Sequence, residues 1–183
     1  PMKDYTWGSN KGKAMQARLY QLAALYSTDP MLSEISLAAA REYAHYIHGV
    51  NPLGLVYLTN MAPAGASHSA ATMFHGWFAY GTRWQQVTEQ LPGPPPGFLV
   101  GGANPQFSID GCCRAPAGSP AYQCYGASAF SRCQRNFTPP LGQPPAKSYL
   151  QYNDPWPANS WAISEPSLYY QSYYVRLLAA FVR

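Results

Sequence analysis

Residues 165–182 restrict the fold more than any other part of this 183-residue chain. They read as a helix with Leu168, Val175, Leu178 and Val182 on one side and Tyr169, Tyr173, Leu177 and Phe181 on another. A helix without a wet face is covered on most sides. Two other stretches have helical periodicity. Residues 11–27 place Met15, Leu19, Leu22 and Tyr26 on one face, with Ser9 or Asn10 as the cap. Residues 30–48 follow an Asp29 cap, with Pro30 at the first helical position and Gly49 as the stop. Their expected buried face is Ile35, Ala39, Tyr43 and Tyr46 or Ile47. These two segments form a helical hairpin, which by itself cannot enclose the last helix. The expectation is one unit, 1–183, that completes its packing against further protein. The start, Pro1-Met2-Lys3-Asp4, has no signal-peptide pattern and reads as the interior of a longer polypeptide, a processed product or a segment.

Between the hairpin and the last helix, residues 51–150 lose the helical pattern. Asn51-Pro52-Leu53-Gly54 is a turn, residues 74–80 are an aromatic patch around His75, and residues 92–97 are a rigid Pro/Gly connector. Long irregular stretches of this kind build clefts on rigid scaffolds. Cys112, Cys113, Cys124 and Cys133, the only cysteines, fall in one polar loop. An even cluster there predicts two disulfides and an oxidising compartment, hence a secreted or extracellular protein. Adjacent cysteines rarely bridge each other. That leaves Cys112–Cys124 with Cys113–Cys133, or Cys112–Cys133 with Cys113–Cys124. Asn136-Phe137-Thr138 is a glycosylation sequon if the source is eukaryotic.

Composition narrows the ligand. Charged residues make up 11% of the chain, less than half of the usual value of roughly 25%. Fifteen tyrosines and five tryptophans take their place and suit uncharged ligands. The net charge of +4 is split between Lys11, Lys13 and Arg18 on one helix and Arg114, Arg132 and Arg135 in one loop. That is too thin a stripe for nucleic acid. No apolar run reaches the 18 or so residues of a membrane span. Glu42, His45 and His48 share a helix face at a metal-site spacing, but no second cluster matches them, so no metal is expected.

Glu165 is the one glutamate set among aromatics, with Trp156 and Trp161 before it and Tyr169, Tyr170, Tyr173 and Tyr174 after. Poor solvation disfavours a charged carboxylate, which is what a general acid needs at neutral pH. Aromatic faces also stack on sugar rings. The plainer reading is that Glu165 starts the last helix, where an acidic residue favours the positive dipole end.

The chain resembles the C-terminal half of a family 9 glycoside hydrolase catalytic domain, the cellulase and endoglucanase family built as an (α/α)6 barrel. The resemblance is carried by Tyr-Thr-Trp-Gly-Ser-Asn (5–10), Val-Asn-Pro-Leu-Gly (50–54), His-Gly-Trp-Phe (75–78), Gly-Pro-Pro-Pro-Gly-Phe-Leu-Val-Gly-Gly-Ala-Asn (93–104) and Asn-Ser-Trp-Ala-Ile-Ser-Glu-Pro-Ser-Leu-Tyr-Tyr-Gln (159–171). It implies an all-α fold, the C-terminal part of that barrel with long cleft-forming loops. It implies inverting hydrolysis of β-1,4-glucan, with Glu165 as the catalytic acid. His75 falls on the substrate-binding histidine, Tyr170 on an aromatic position beside the scissile bond, and Trp7 on a sugar-stacking one; Trp156 and Trp161 are further substrate-binding candidates. The partners implied are a β-glucan poly- or oligosaccharide and the N-terminal half of the domain. The resemblance implies no cofactor or metal in this chain and admits structural calcium in the complete enzyme.

Three departures matter. Trp77 stands where many members have arginine, and neutral Gln151 stands near an expected aspartate, with Asp154 nearby. The family's Asp-x-x-Asp base motif is also missing: the four aspartates, Asp4, Asp29, Asp110 and Asp154, are not so spaced. The base is therefore expected on the missing half. Two rival readings remain: a non-catalytic carbohydrate-binding module, and an exo-acting β-glucosidase or glucosaminidase of the same family.

Overall fold

The computed structural model describes residues 4–74, 79–84, 93–105, 143–150 and 161–182, with backbone alone for Trp161 and Ala162. Its elements are α1 (Ser9–Tyr26), α2 (Pro30–Ile47), β1 (Val56–Thr59), β2 (Ser69–Ala70), a short helix α3 (Trp161–Ser164) and α4 (Leu168–Ala179). Helix dominates, with little strand.

The α1–α2 junction follows its local chemistry. The Asp29 carboxylate accepts from the Met31 and Leu32 backbone N–H groups, and Pro30 occupies the first turn. Gly49, just past the end, has φ +110°, which glycine adopts without a Cβ penalty. The start of α1 differs from expectation. The cap is Gly8 in the left-handed region, and Ser9 and Asn10 lie inside the helix and are buried.

The buried face of α1 is Ala14, Ala17, Gln21 and Ala24, whereas Leu19 and Tyr26 are exposed. In α2 the buried residues are Ala40, Ala44 and Ile47, and Ile35 points outward. The reason is steric. α1 packs against both α2 and α4, and small side chains let helix backbones approach closely. The Gln21 side chain also donates to the Leu177 carbonyl at 2.8 Å, joining α1 to α4.

The last helix is shorter than its apolar run. α4 begins at Leu168, capped by Ser167, whose hydroxyl accepts from the Tyr170 N–H. Tyr170, Tyr174 and Leu177 are buried, while Leu168 (84% exposed), Tyr169, Val175 and Val182 are not. Within the described residues one apolar side of α4 is thus uncovered.

The region expected to be irregular contains a small sheet. β1 pairs in parallel with β2, and residues 97–100 run antiparallel along its other edge through Gly97 N–H to Thr59 O (2.7 Å) and Val100 N–H to Tyr57 O (3.1 Å). Tyr57, Leu99 and Val100 are fully buried there. They join Ile47, Ile163, Tyr170 and Leu177 in one core.

Lys13 is 7% exposed. Its ammonium lies 4.1 Å from the Tyr5 ring centroid and 4.6 Å from that of Tyr46, and burial pushes it down to about 8 against the opposing pull of Asp4. Burial raises the hydroxyls of Tyr57, Tyr149 and Tyr170 above the ordinary tyrosine value. Between about 8 and 10.5 the unfolded chain keeps a proton that folded Lys13 has released, so stability rises with pH. Above 10.0, the unperturbed tyrosine value, unfolded tyrosines have lost protons that the folded chain retains, so stability falls. Denaturant unfolding of the complete domain is expected to show a rise through about pH 8–10 with a slope of at most about 1.4 kcal/mol per pH unit, then a decline. Lys13→Met is expected to remove the rise and leave the decline.

Candidate active site

Glu165 belongs to neither flanking helix. α3 ends at Ser164 and α4 starts after Ser167, so the carboxylate sits in the connection, half-buried. Pro166 explains the break, since a residue before proline is driven out of the helical region. Glu165 therefore does not begin the last helix.

Two backbone hydrogen bonds fix this connection. Gly102 N–H donates to the Ile163 carbonyl (2.9 Å) and Phe74 N–H to the Ser164 carbonyl (3.2 Å). Gly101 packs so tightly that a Cβ there would lie 2.7 Å from the Ile163 carbonyl oxygen. The opposite side of the same strand is held by the start of α1. Asn10 N–H donates to the Gly101 carbonyl (2.9 Å), and the Asn10 side-chain amide to the Val100 carbonyl (3.0 Å). Gln171 in α4 adds a two-point clasp, accepting from Leu99 N–H and donating to Leu99 O, both at 2.9 Å.

Residues 99–102 are thus held between the two ends of the chain, which brings Trp7 to Glu165. The indole Nε1–H donates to Glu165 Oε2 at 2.8 Å across 158 residues of sequence. Trp7 is 47% exposed, and its ring meets Tyr170 edge-on at 6.2 Å. Tyr170 is 1% exposed. Burial, reinforced by the Glu165 charge, raises its hydroxyl above the ordinary value, so it stays protonated. Its Oη lies under Gly8, where a Cβ would come within 2.6 Å.

Of the residues singled out from the sequence, Trp7, Glu165 and Tyr170 come together. Trp161 opens α3, with its side chain outside the described residues. His75, Trp77, Gln151, Asp154, Trp156, Cys112, Cys113, Cys124, Cys133 and the Asn136 sequon lie outside them altogether. The Glu42, His45 and His48 row does not converge. His45 Nδ1 is 3.4 Å from Glu42 Oε1, whereas His48 Nε2 turns to the Tyr174 hydroxyl at 2.7 Å. Burial, then the neighbouring His45, lowers His48. Among the described residues no three His, Cys, Asp or Glu side chains gather around a point. No helix among them is long and apolar enough to cross a membrane. Sequence reasoning missed Gly8, Asn10, Gly101 and Gln171 as the scaffold of the site. Their only local signal is that they lie inside the blocks 5–10, 93–104 and 159–171.

A helical framework that carries a carboxylate beside an indole and a buried tyrosine matches one family along nearly its whole length. The Glycosyl hydrolase family 9 profile matches residues 1–178, and the chain belongs to that family. It is 36% identical over 106 residues to Endoglucanase C of Cellulomonas fimi, a match that covers 58% of this chain and 8% of that protein. The structure of AaCel9A in complex with cellobiose-like isofagomine superposes with a TM-score of 0.59 at 20% identity, covering 99% of this chain and 26% of that one. The mostly helical architecture is that of part of the family's (α/α)6 barrel.

Proposed function

We propose that the complete polypeptide carrying this chain hydrolyses β-1,4-glucosidic bonds in cellulose or a related β-glucan, with inversion at the anomeric carbon. The observation that carries the reading is the Trp7 indole hydrogen-bonded to the Glu165 carboxylate, with Tyr170 edge-on against the same indole. A half-buried carboxyl beside a partly exposed tryptophan can meet a sugar and deliver a proton in the same place. Endoglucanase C supports the endo-acting choice by its name.

In this reading protonated Glu165 donates to the leaving glycosidic oxygen. An aspartate on a part of the domain outside this chain takes a proton from water on the opposite face of the sugar. Inversion requires roughly 6.5–9.5 Å between the two carboxyls to admit that water. The uncovered apolar residues Leu168 and Val175 of α4 and Val182 just past its end, with Leu19 and Tyr26 of α1, support the further view that the rest of the domain packs there. A polymeric glucan does not cross membranes, so the proposed site of action is extracellular.

The test is digestion of cellohexaose by the complete polypeptide, followed by NMR during the first turnovers. Internal cleavage releasing α-anomers is expected. β-Anomers would overturn inversion, glucose released only from one end would make the enzyme exo-acting, and binding without cleavage would make it a carbohydrate-binding module.

A further inference from the structure

We infer that Trp7 is a positioning residue that holds the Glu165 carboxyl in one orientation through its indole N–H. This rests on the general-acid reading of Glu165 and goes beyond sugar stacking by the Trp7 face. An indole N–H donates and cannot accept. The oxygen it touches, Oε2 at 2.8 Å, is therefore an acceptor whether the carboxyl is neutral or ionised. In the acid form the carboxyl proton leaves to the glycosidic oxygen as the bond to the anomeric carbon breaks, and the resulting carboxylate keeps its Trp7 hydrogen bond. A freely rotating carboxyl would divide its proton between two oxygens and many directions. A fixed one presents it along a single line.

The rest of the site is built to keep Trp7 still. Gly8, with φ +71°, turns the chain directly into α1, and the Tyr170 hydroxyl fills the space where a side chain on residue 8 would stand. Ser9 N–H closes a turn onto the Thr6 carbonyl at 3.0 Å, and Asn10 anchors the next residue to Gly101. The same Gly101–Gly102 strand holds the backbone on the N-terminal side of Glu165. Donor and acceptor are thus mounted on two sides of one segment, Gly101–Gly102. A residue serving only as a sugar platform has no need of that registration.

The test uses the complete polypeptide with Trp7→Phe, which keeps a flat aromatic face and removes the N–H. A second variant carries 3-benzothienylalanine at position 7, isosteric with tryptophan but with sulfur in place of N–H, and separates the donor from packing. In both, kcat on unactivated glucan is expected to fall about 10- to 100-fold, the scale of a small misplacement of a reacting group. KM is expected to change less than about threefold, since the face that meets sugar remains. An aryl glycoside with a good leaving group needs little protonation and is expected to lose much less. A raised KM with unchanged kcat, an equal loss on the aryl glycoside, or full wild-type kinetics would overturn the assignment. Glu165→Gln is measured in parallel. If it too retains the wild-type rate and limb, the general-acid reading has failed and the Trp7 proposal with it. If Glu165→Gln is impaired while both Trp7 variants behave as wild type, only the Trp7 proposal falls.

Discussion

Glu165→Gln in the complete polypeptide is expected to lower turnover on unactivated β-glucan by about 10²–10⁴-fold, the usual range for lost acid–base assistance. Glutamine keeps the shape, and its amide oxygen can still accept from the Trp7 indole that now bonds Oε2. What it lacks is a proton to give. Substrate binding is therefore expected to change little, and the loss falls on kcat. Two secondary outcomes sharpen the result. The basic limb of the pH–rate profile disappears, because no group remains whose ionisation removes the proton. An aryl glycoside with a good leaving group retains much more of its rate, since it departs with little protonation. Wild-type hydrolysis of cellulose oligomers with the limb intact would place the donor elsewhere, and Asp154 is the next carboxylate of this chain to test.

Gly101→Ala is the second large effect, and it acts on folding and catalysis together. A Cβ at position 101 would stand 2.7 Å from the Ile163 carbonyl oxygen and 3.3 Å from its carbon. Both are backbone atoms in the short helix that leads to Glu165 and cannot swing aside as a side chain would. Either the strand retreats from α3 or Ile163–Ser164 shifts, and each breaks the Gly102 N–H to Ile163 O bond. Overpacking of this kind costs about 1–3 kcal/mol. A shift of roughly 1 Å at the acid costs about 10²-fold in rate. Gly12→Ala is the control: it lies inside α1 with nothing within 4 Å of a new Cβ, and removing a helical glycine is expected to stabilise by about 0.5–1 kcal/mol. Denaturant midpoints and kcat measured side by side check both. Equal stability of Gly101→Ala and wild type would show that the contact is slack.

Features decided within a few neighbouring residues were legible in the sequence. Asp29 and Pro30 set the start of α2 by capping chemistry that needs no tertiary partner. Gly49 set its end, and the collinear blocks from 5–10 to 159–171 identified the family that the comparison confirms. The break at Glu165 was also local, since Pro166 followed by Ser167 ends one helix and caps another, but the apolar run continuing past it masked the signal.

The buried faces were not legible in this way. Periodicity is read from large apolar side chains, and in α1 these point outward at Leu19 and Tyr26, while Ala14, Ala17 and Ala24 face the core. Alanine carries little hydrophobic signal, yet it is what two helices packed on either side of α1 require. β1 and its neighbours are too short for an alternating pattern, and their pairing depends on segments tens of residues away. The same holds for the site. Glu165 stood out by itself as a glutamate among aromatics. Its indole partner lies 158 residues earlier and reaches it because Asn10 and Ile163 grip opposite sides of Gly101–Gly102. Local sequence fixes where helices begin and end through nearest-neighbour chemistry. Which carboxylate oxygen meets which N–H depends on tertiary packing, where a fraction of an ångström between backbones decides the contact.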